Sequence, residues 1–118
     1  MKHVINDEAF SQYARRLYET DMFNEDEGYE LIFLIKALEH YFNKKLKSQG
    51  YVLLNDVYES LGLSRISEYD NVGWLYNEEN PVGDNFIDFG ISCPFSFMYG
   101  IDKDNMILDF NVDGVIRY

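Results

Sequence analysis

The segment Ile107–Tyr118, ILDFNVDGVIRY, decides how the second half of the chain is built. Asp109, Asn111, Asp113 and Gly114 spell D-x-N-x-D-G, the opening of a calcium-binding loop. Such a loop takes oxygen ligands at positions 1, 3, 5, 7 and 9 and a bidentate Glu at position 12, and two helices flank it. Counted from Asp109, position 9 is Arg117, a cation facing a cation site, and position 12 falls past Tyr118. The preceding NMILDF is β-like. Asp-Gly between two apolar stretches is instead the mark of a tight hairpin, because both central residues of a type I′ turn need φ > 0. Asp113-Gly114 is therefore expected to turn a strand over ILDFN back into VIRY, in a β-rich half of the chain.

Upstream, short apolar runs alternate with turn residues. NVGWLY (71–76), NFIDFGI (85–91), FSFMYGI (95–101) and NMILDFN (105–111) read as strands. NEENPVGD (77–84) reads as a loop punctuated by Pro81 and Gly83, and IDKDN as a hairpin turn. The first half carries helical spacing. Phe10, Tyr13, Ala14, Leu17 and Tyr18 form one face of a first helix, with Asn6 as N-cap and Asp7 and Glu8 in its first turn. A longer helix follows Asn24 and Glu27, read as a capping box. Leu31, Ile32, Ile35, Leu38, Phe42 and Leu46 make its apolar stripe, which Leu34 and Tyr41 widen, and Gly50 ends it. A short third helix fits LNDVYESLGL, capped by Asn55, with Val57, Tyr58 and Leu61 inward and Gly62 at its end. The expected class is α+β: a single domain over 1–118, with a helical half (1–62) and a β-rich half (66–118). Two to three N-terminal helices pack on a C-terminal antiparallel β-meander.

With 47% hydrophobic residues, ten Tyr and nine Phe in 118 residues, the chain has material for a packed core. Its formal net charge is −11, from 21 acidic against 10 basic residues. Direct nucleic-acid binding needs a basic footprint, and anionic membranes repel this sign, so neither is expected. The single Cys93 makes no internal disulfide, and the start MKHVINDEAF has no apolar signal region. The apolar run LIFLI is too short to span a bilayer. A cytoplasmic location is the expectation.

No catalytic constellation is legible. His3 and His40 have no adjacent nucleophile, and nothing near Cys93 lowers its pKa, because 66–101 contains no Lys or Arg. Two His and one Cys are too few for a structural zinc site, and the glycines form no phosphate cradle. Carboxylate pairs such as Glu78-Glu79 or Asp84 with Asp88 arise by chance in so acidic a chain. The expectation is a non-enzyme without cofactor or metal. The charge distribution is more specific. ETDMFNEDEGYE holds Glu19, Asp21, Glu25, Asp26, Glu27 and Glu30 with no base, and 66–101 adds six more acids. Such a face is either solvated surface or a docking face for a basic partner, with Tyr29, Tyr69 and Tyr76 as anchors. The expected contact set is Asp21, Glu25, Asp26, Glu27 and Glu30 with Tyr29.

GYVLLNDVYESLGL, NVGW, IDFGI and ILDFNVDGVI together resemble segments of small uncharacterised proteins of phages and integrated mobile elements of Gram-positive bacteria. The resemblance covers roughly 50–116, and its segments are mostly caps, turns and core. It implies a shared fold and a mobile-element origin in a bacterial host cell, and brings no activity and no catalytic residue. Three functions fit. The first is an acidic interaction protein, an inhibitor or nucleic-acid mimic that binds a basic host or defence protein such as a CRISPR nuclease. The second is a phage structural or assembly accessory protein. The third is a small hydrolase using carboxylates or a bound cation.

Overall fold

The computed structural model describes residues 10–117. Its frame is the helix α1, Gly28–Gln49, whose Leu31, Ile35, Phe42 and Leu46, spaced four, seven and four residues apart, fall on one face and are buried. Gly50 closes it in the left-handed region, φ 87°, with its N–H on Leu46 O at 2.8 Å, as a helix C-cap requires. The start differs from the capping-box expectation. Glu27 is the residue before the first turn, and its side chain caps nothing. Tyr41, expected to widen the core stripe, is 56% exposed.

The chain leaves α1 into β2 (Tyr51–Leu53) and then α2 (Leu54–Ser60), which buries Leu54, Val57 and Tyr58. Gly62 follows with its N–H on Glu59 O at 2.9 Å. Asn55 is not the cap. It lies inside α2, fully buried, and its amide takes Ile66 N–H at 3.0 Å and donates to Ile66 O and Asp70 Oδ1 at 2.9 and 2.8 Å. It thereby clamps the loop after the helix. The strand β3, Val72–Leu75, returns antiparallel to β2 with Val52 opposite Trp74.

The fold class is α+β, and its strands form two small antiparallel sheets instead of one meander. One has the order β2-β3-β6, with β6 at Gly114–Val115. The other joins β1 (Arg15–Arg16), β5 (Ile107–Leu108) and β4 (Ile91–Ser92) in the order β1-β5-β4. Asp113-Gly114 is therefore no hairpin turn. Gly114 pairs with Gly73 and Val115 with Val72, so the chain end crosses from one sheet to the other.

Several other expectations give way to tertiary contacts. Residues 10–20 are not helical: Arg15–Arg16 pair with β5, Leu17–Glu19 form one 3-10 turn, and Leu17 N–H bonds Met106 O. The proposed cap Asn6 lies outside the described residues. NFIDFGI reaches strand pairing only at Ile91: Asn85 and Gly90 have positive φ, 61° and 58°, and side chains take the Ile87 and Phe89 backbone groups while Asp88 O and Gly90 O accept Asn111 N–H and Asp109 N–H. Asn43 accepts Ile87 N–H at 2.8 Å and donates to Ile87 O at 2.9 Å, and Glu39 accepts Phe89 N–H at 2.8 Å. Gly90 there has φ 58°, and a Cβ on it would stand 2.1 Å from Asp109 O, so backbone meets backbone at that point. FSFMYGI is not a strand but a single helical turn, α3, Ser96–Tyr99. IDKDN is not a hairpin turn but a 3-10 turn over Lys103–Asn105, capped by Asp102.

Candidate functional site

The calcium-loop residues prove to be a three-way clamp. Alternate side chains of an extended segment point the same way, and here each grips a different part of the chain. Asp109 accepts Ser11 N–H and Oγ–H at 3.1 and 2.6 Å. Asn111 accepts the indole N–H of buried Trp74 at 2.9 Å and Asp88 N–H at 2.7 Å, and donates to Asp84 Oδ2 and Phe86 O, both at 3.0 Å. Asp113 accepts Leu75 N–H at 2.9 Å. Burial, and next to it the charge of Asp84, raises the Asp113 pKa above the usual carboxylate range, while the Leu75 bond pulls the other way. Among the described residues no group of three or more His, Cys, Asp and Glu is arranged to hold a metal ion.

Nor do the nucleophile candidates assemble. Cys93 is half-buried, and burial, then the charge of Asp102, pushes its thiol pKa up, away from the reactive thiolate. His40 is exposed on α1, and His3 lies outside the described residues. Tyr58 is buried with its hydroxyl on Tyr13 O at 2.7 Å. Burial raises its pKa well above the usual phenol range despite the Arg15 guanidinium over its ring.

The acidic segment is built differently. It runs from the Leu17–Glu19 3-10 turn to α1, pinned by buried or bonded residues between its charges. Thr20 is buried, accepts Met22 N–H at 3.1 Å through Oγ1, and its carbonyl receives the Lys103 ammonium. Phe23 is buried and its carbonyl accepts Asp26 N–H at 3.1 Å. Glu27 bridges Asp102, and Gly28 N–H bonds Ile101 O. The residues between these pins are turned outward. Asp21, Glu25, Glu27 and Glu30 are exposed and Asp26 is half-buried, while Tyr29 is 84% exposed. Asp21, Met22, Asn24, Glu25 and Asp26 line a shallow hollow.

Five other acids among the described residues are in ion pairs. Glu19 pairs with Arg15 at 2.8 Å, Glu39 with Lys36 at 3.2 Å, and Asp56, Glu59 and Asp70 surround Arg65. Among the described residues no cation pairs with Asp21, Glu25, Asp26, Glu27 or Glu30. The structure thus brings the expected contact set together on one exposed segment. Two expected anchors are not available. Tyr69 is half-buried, donates to Gln12 O and meets Tyr13 edge to face, and Tyr76 is half-buried with its hydroxyl on Glu78.

Other large apolar side chains stand in solvent, two of them in the 95–101 segment expected as a strand. Phe97 is 84% exposed, Met98 60% and, on α1, Phe33 71%. The Gly28–Ile101 and Glu27–Asp102 backbone contacts bring the segment that follows α3 against the start of α1. No helix among the described residues is long and apolar enough to cross a membrane.

No curated protein and no solved structure matches the chain. A family model does match it over residues 2–118, nearly its whole length. The chain belongs to the family of unknown function DUF6353.

Proposed function

We propose that this protein is a non-enzymatic interaction module that binds a basic protein through Asp21, Glu25, Asp26, Glu27, Glu30 and Tyr29. The observation that carries this reading is the clustering of unpaired acids: among the described residues these five stand on one ten-residue segment without a cation, and Glu27 and Glu30 lie close in sequence to Tyr29, a tyrosine in solvent. Like charges gathered on one segment repel one another, a cost that a basic partner reverses. With the mobile-element resemblance, the reading extends to an inhibitor that occupies the basic groove of a host or defence protein.

Affinity capture from a Gram-positive bacterial lysate, washed at low and high salt, tests it. The native protein is expected to retain a basic protein that Glu25→Lys/Asp26→Lys does not retain and that high salt releases. Equal retention by both forms would overturn the assignment.

A further inference from the structure

We propose that the partner docks through an apolar anchor seated on Tyr29, Phe33, Phe97 and Met98, with lysines or arginines around that anchor meeting the acidic segment. This rests on the interaction-module reading and adds the chemistry of the occupant. Three of the four side chains are more than two-thirds in water, and Met98 is 60% exposed. Isolated exposed apolar residues are ordinary on a protein surface. These four lie on α1 and α3, which the Gly28–Ile101 hydrogen bond and the Glu27–Asp102 backbone bridge hold next to one another. Apolar patches rimmed by polar residues mark interaction sites. The exposed charges near it are mainly acidic, Glu25, Glu27, Glu30 and Asp104; of the two nearby lysines, Lys36 is paired with Glu39 at 3.2 Å and Lys103 is held on the Thr20 carbonyl.

The rim selects the occupant. An anionic lipid surface and a phosphate backbone carry the same sign as the rim and are repelled. A second copy joined through the same face by a two-fold axis would set one acidic rim against the other, between molecules of net charge −11. On α1, Lys36 is already paired with Glu39, and Lys44, Lys45 and Lys47 stand at the far end, about 25 Å away at 1.5 Å per residue, so they do not offset the rim. The complement is a cationic protein segment with apolar side chains on one side, in which the apolar anchor supplies affinity and the cations supply rate and register.

Isothermal titration of the full chain with two synthetic peptides of equal charge tests this. One alternates Lys and Leu at helical spacing, and the other replaces every Leu with Ser. The Lys/Leu peptide is expected to bind about tenfold or more tightly. Phe33→Ala/Phe97→Ala is expected to erase that advantage and leave the Lys/Ser affinity unchanged, and these exposed positions leave the core intact. Equal binding of both peptides, sensitive to Glu25→Lys/Asp26→Lys, would overturn the anchor and leave the acidic contact standing. Binding of neither peptide would overturn the anchor and the underlying reading together. Sedimentation showing a dimer that Phe33→Ala/Phe97→Ala dissociates would overturn the anchor in favour of a second copy.

Discussion

The side-chain oxygen of Asn111 accepts the indole N–H of Trp74 at 2.9 Å, across two segments that form no strand pair with each other. An amide has two acceptor lone pairs and two N–H donors, and Asn111 fills all four, with Asp88 N–H, Asp84 Oδ2 and Phe86 O as the other partners. The side chain extends to Asp84 and Phe86 a contact that the backbone makes at Asp88 and Gly90, whose carbonyls accept Asn111 N–H and Asp109 N–H at 3.1 and 3.3 Å. It also ties the only tryptophan of the chain to the last segment before β6.

Asn111→Ala strands the indole N–H of a side chain 1% exposed and frees the 84–88 loop. The expected loss is about 2–4 kcal/mol, one buried unsatisfied donor plus the lost loop bonds. Asn111→Asp keeps the acceptor, loses both donors and sets a carboxylate beside Asp84, so it is expected to be destabilised at neutral pH and partly restored in acid. Urea unfolding followed by Trp74 fluorescence reads both.

Asn55 offers a sharper distinction between a cap and a clamp. A helix cap tolerates Ser in place of Asn, since either side chain reaches the N–H groups of the first turn. The clamp needs a donor and an acceptor on one planar group to span Ile66 N–H, Ile66 O and Asp70. Asn55→Ser is therefore expected to be as damaging as Asn55→Ala, at about 2–3 kcal/mol, in the same unfolding assay. Rescue by Ser would return Asn55 to the cap role.

Asp113 carries a pH signature whose sign follows from its environment. Its folded pKa is raised, chiefly by burial, so the folded state binds the proton more readily than the unfolded chain. Stability contributed by this group is present in acid and is lost as pH rises through the folded pKa. Asp113→Asn keeps an acceptor for Leu75 N–H and removes the charge. It is expected to melt at or above the native temperature at pH 7, with the difference shrinking below about pH 4, near the ordinary carboxylate value. A variant less stable than the native protein at pH 7 would contradict this.

Tyr58→Phe removes the hydroxyl bond to Tyr13 O at 2.7 Å, which ties the segment before β1 to α2. The expected loss is about 1 kcal/mol, with faster amide exchange confined to residues 11–16. Uniform exchange across the chain would show that the segment is not held locally.

The long helix was legible because its apolar stripe, its lysines and Gly50 all agree on one element. The first helix was not. Phe10, Tyr13 and Leu17 have helical spacing, yet the energy that decides their shape lies in β5, Met106 and Tyr58, more than forty residues away. The D-x-N-x-D-G segment was legible as non-EF-hand and illegible as a clamp, since nothing local shows which segments Asp109, Asn111 and Asp113 grip. On the candidate site, the acids and Tyr29 could be foreseen, because a run of charge without bases cannot be buried. Phe97 and Met98 could not. As a strand, Phe95, Phe97 and Tyr99 share one face, whereas the α3 turn places Phe97 in solvent and leaves Phe95 half-buried against Tyr99.

The binding surface for cationic protein is assigned to the adjoining segments 21–33 and 96–104. The most direct measurement is a heteronuclear NMR titration of the labelled chain with the Lys/Leu peptide. The account predicts saturable amide shifts confined to those two segments, abolished in Glu25→Lys/Asp26→Lys. Shifts spread over every acidic residue, Asp56, Glu68 and Glu78 included, or equal shifts in the charge-reversed chain, would contradict it.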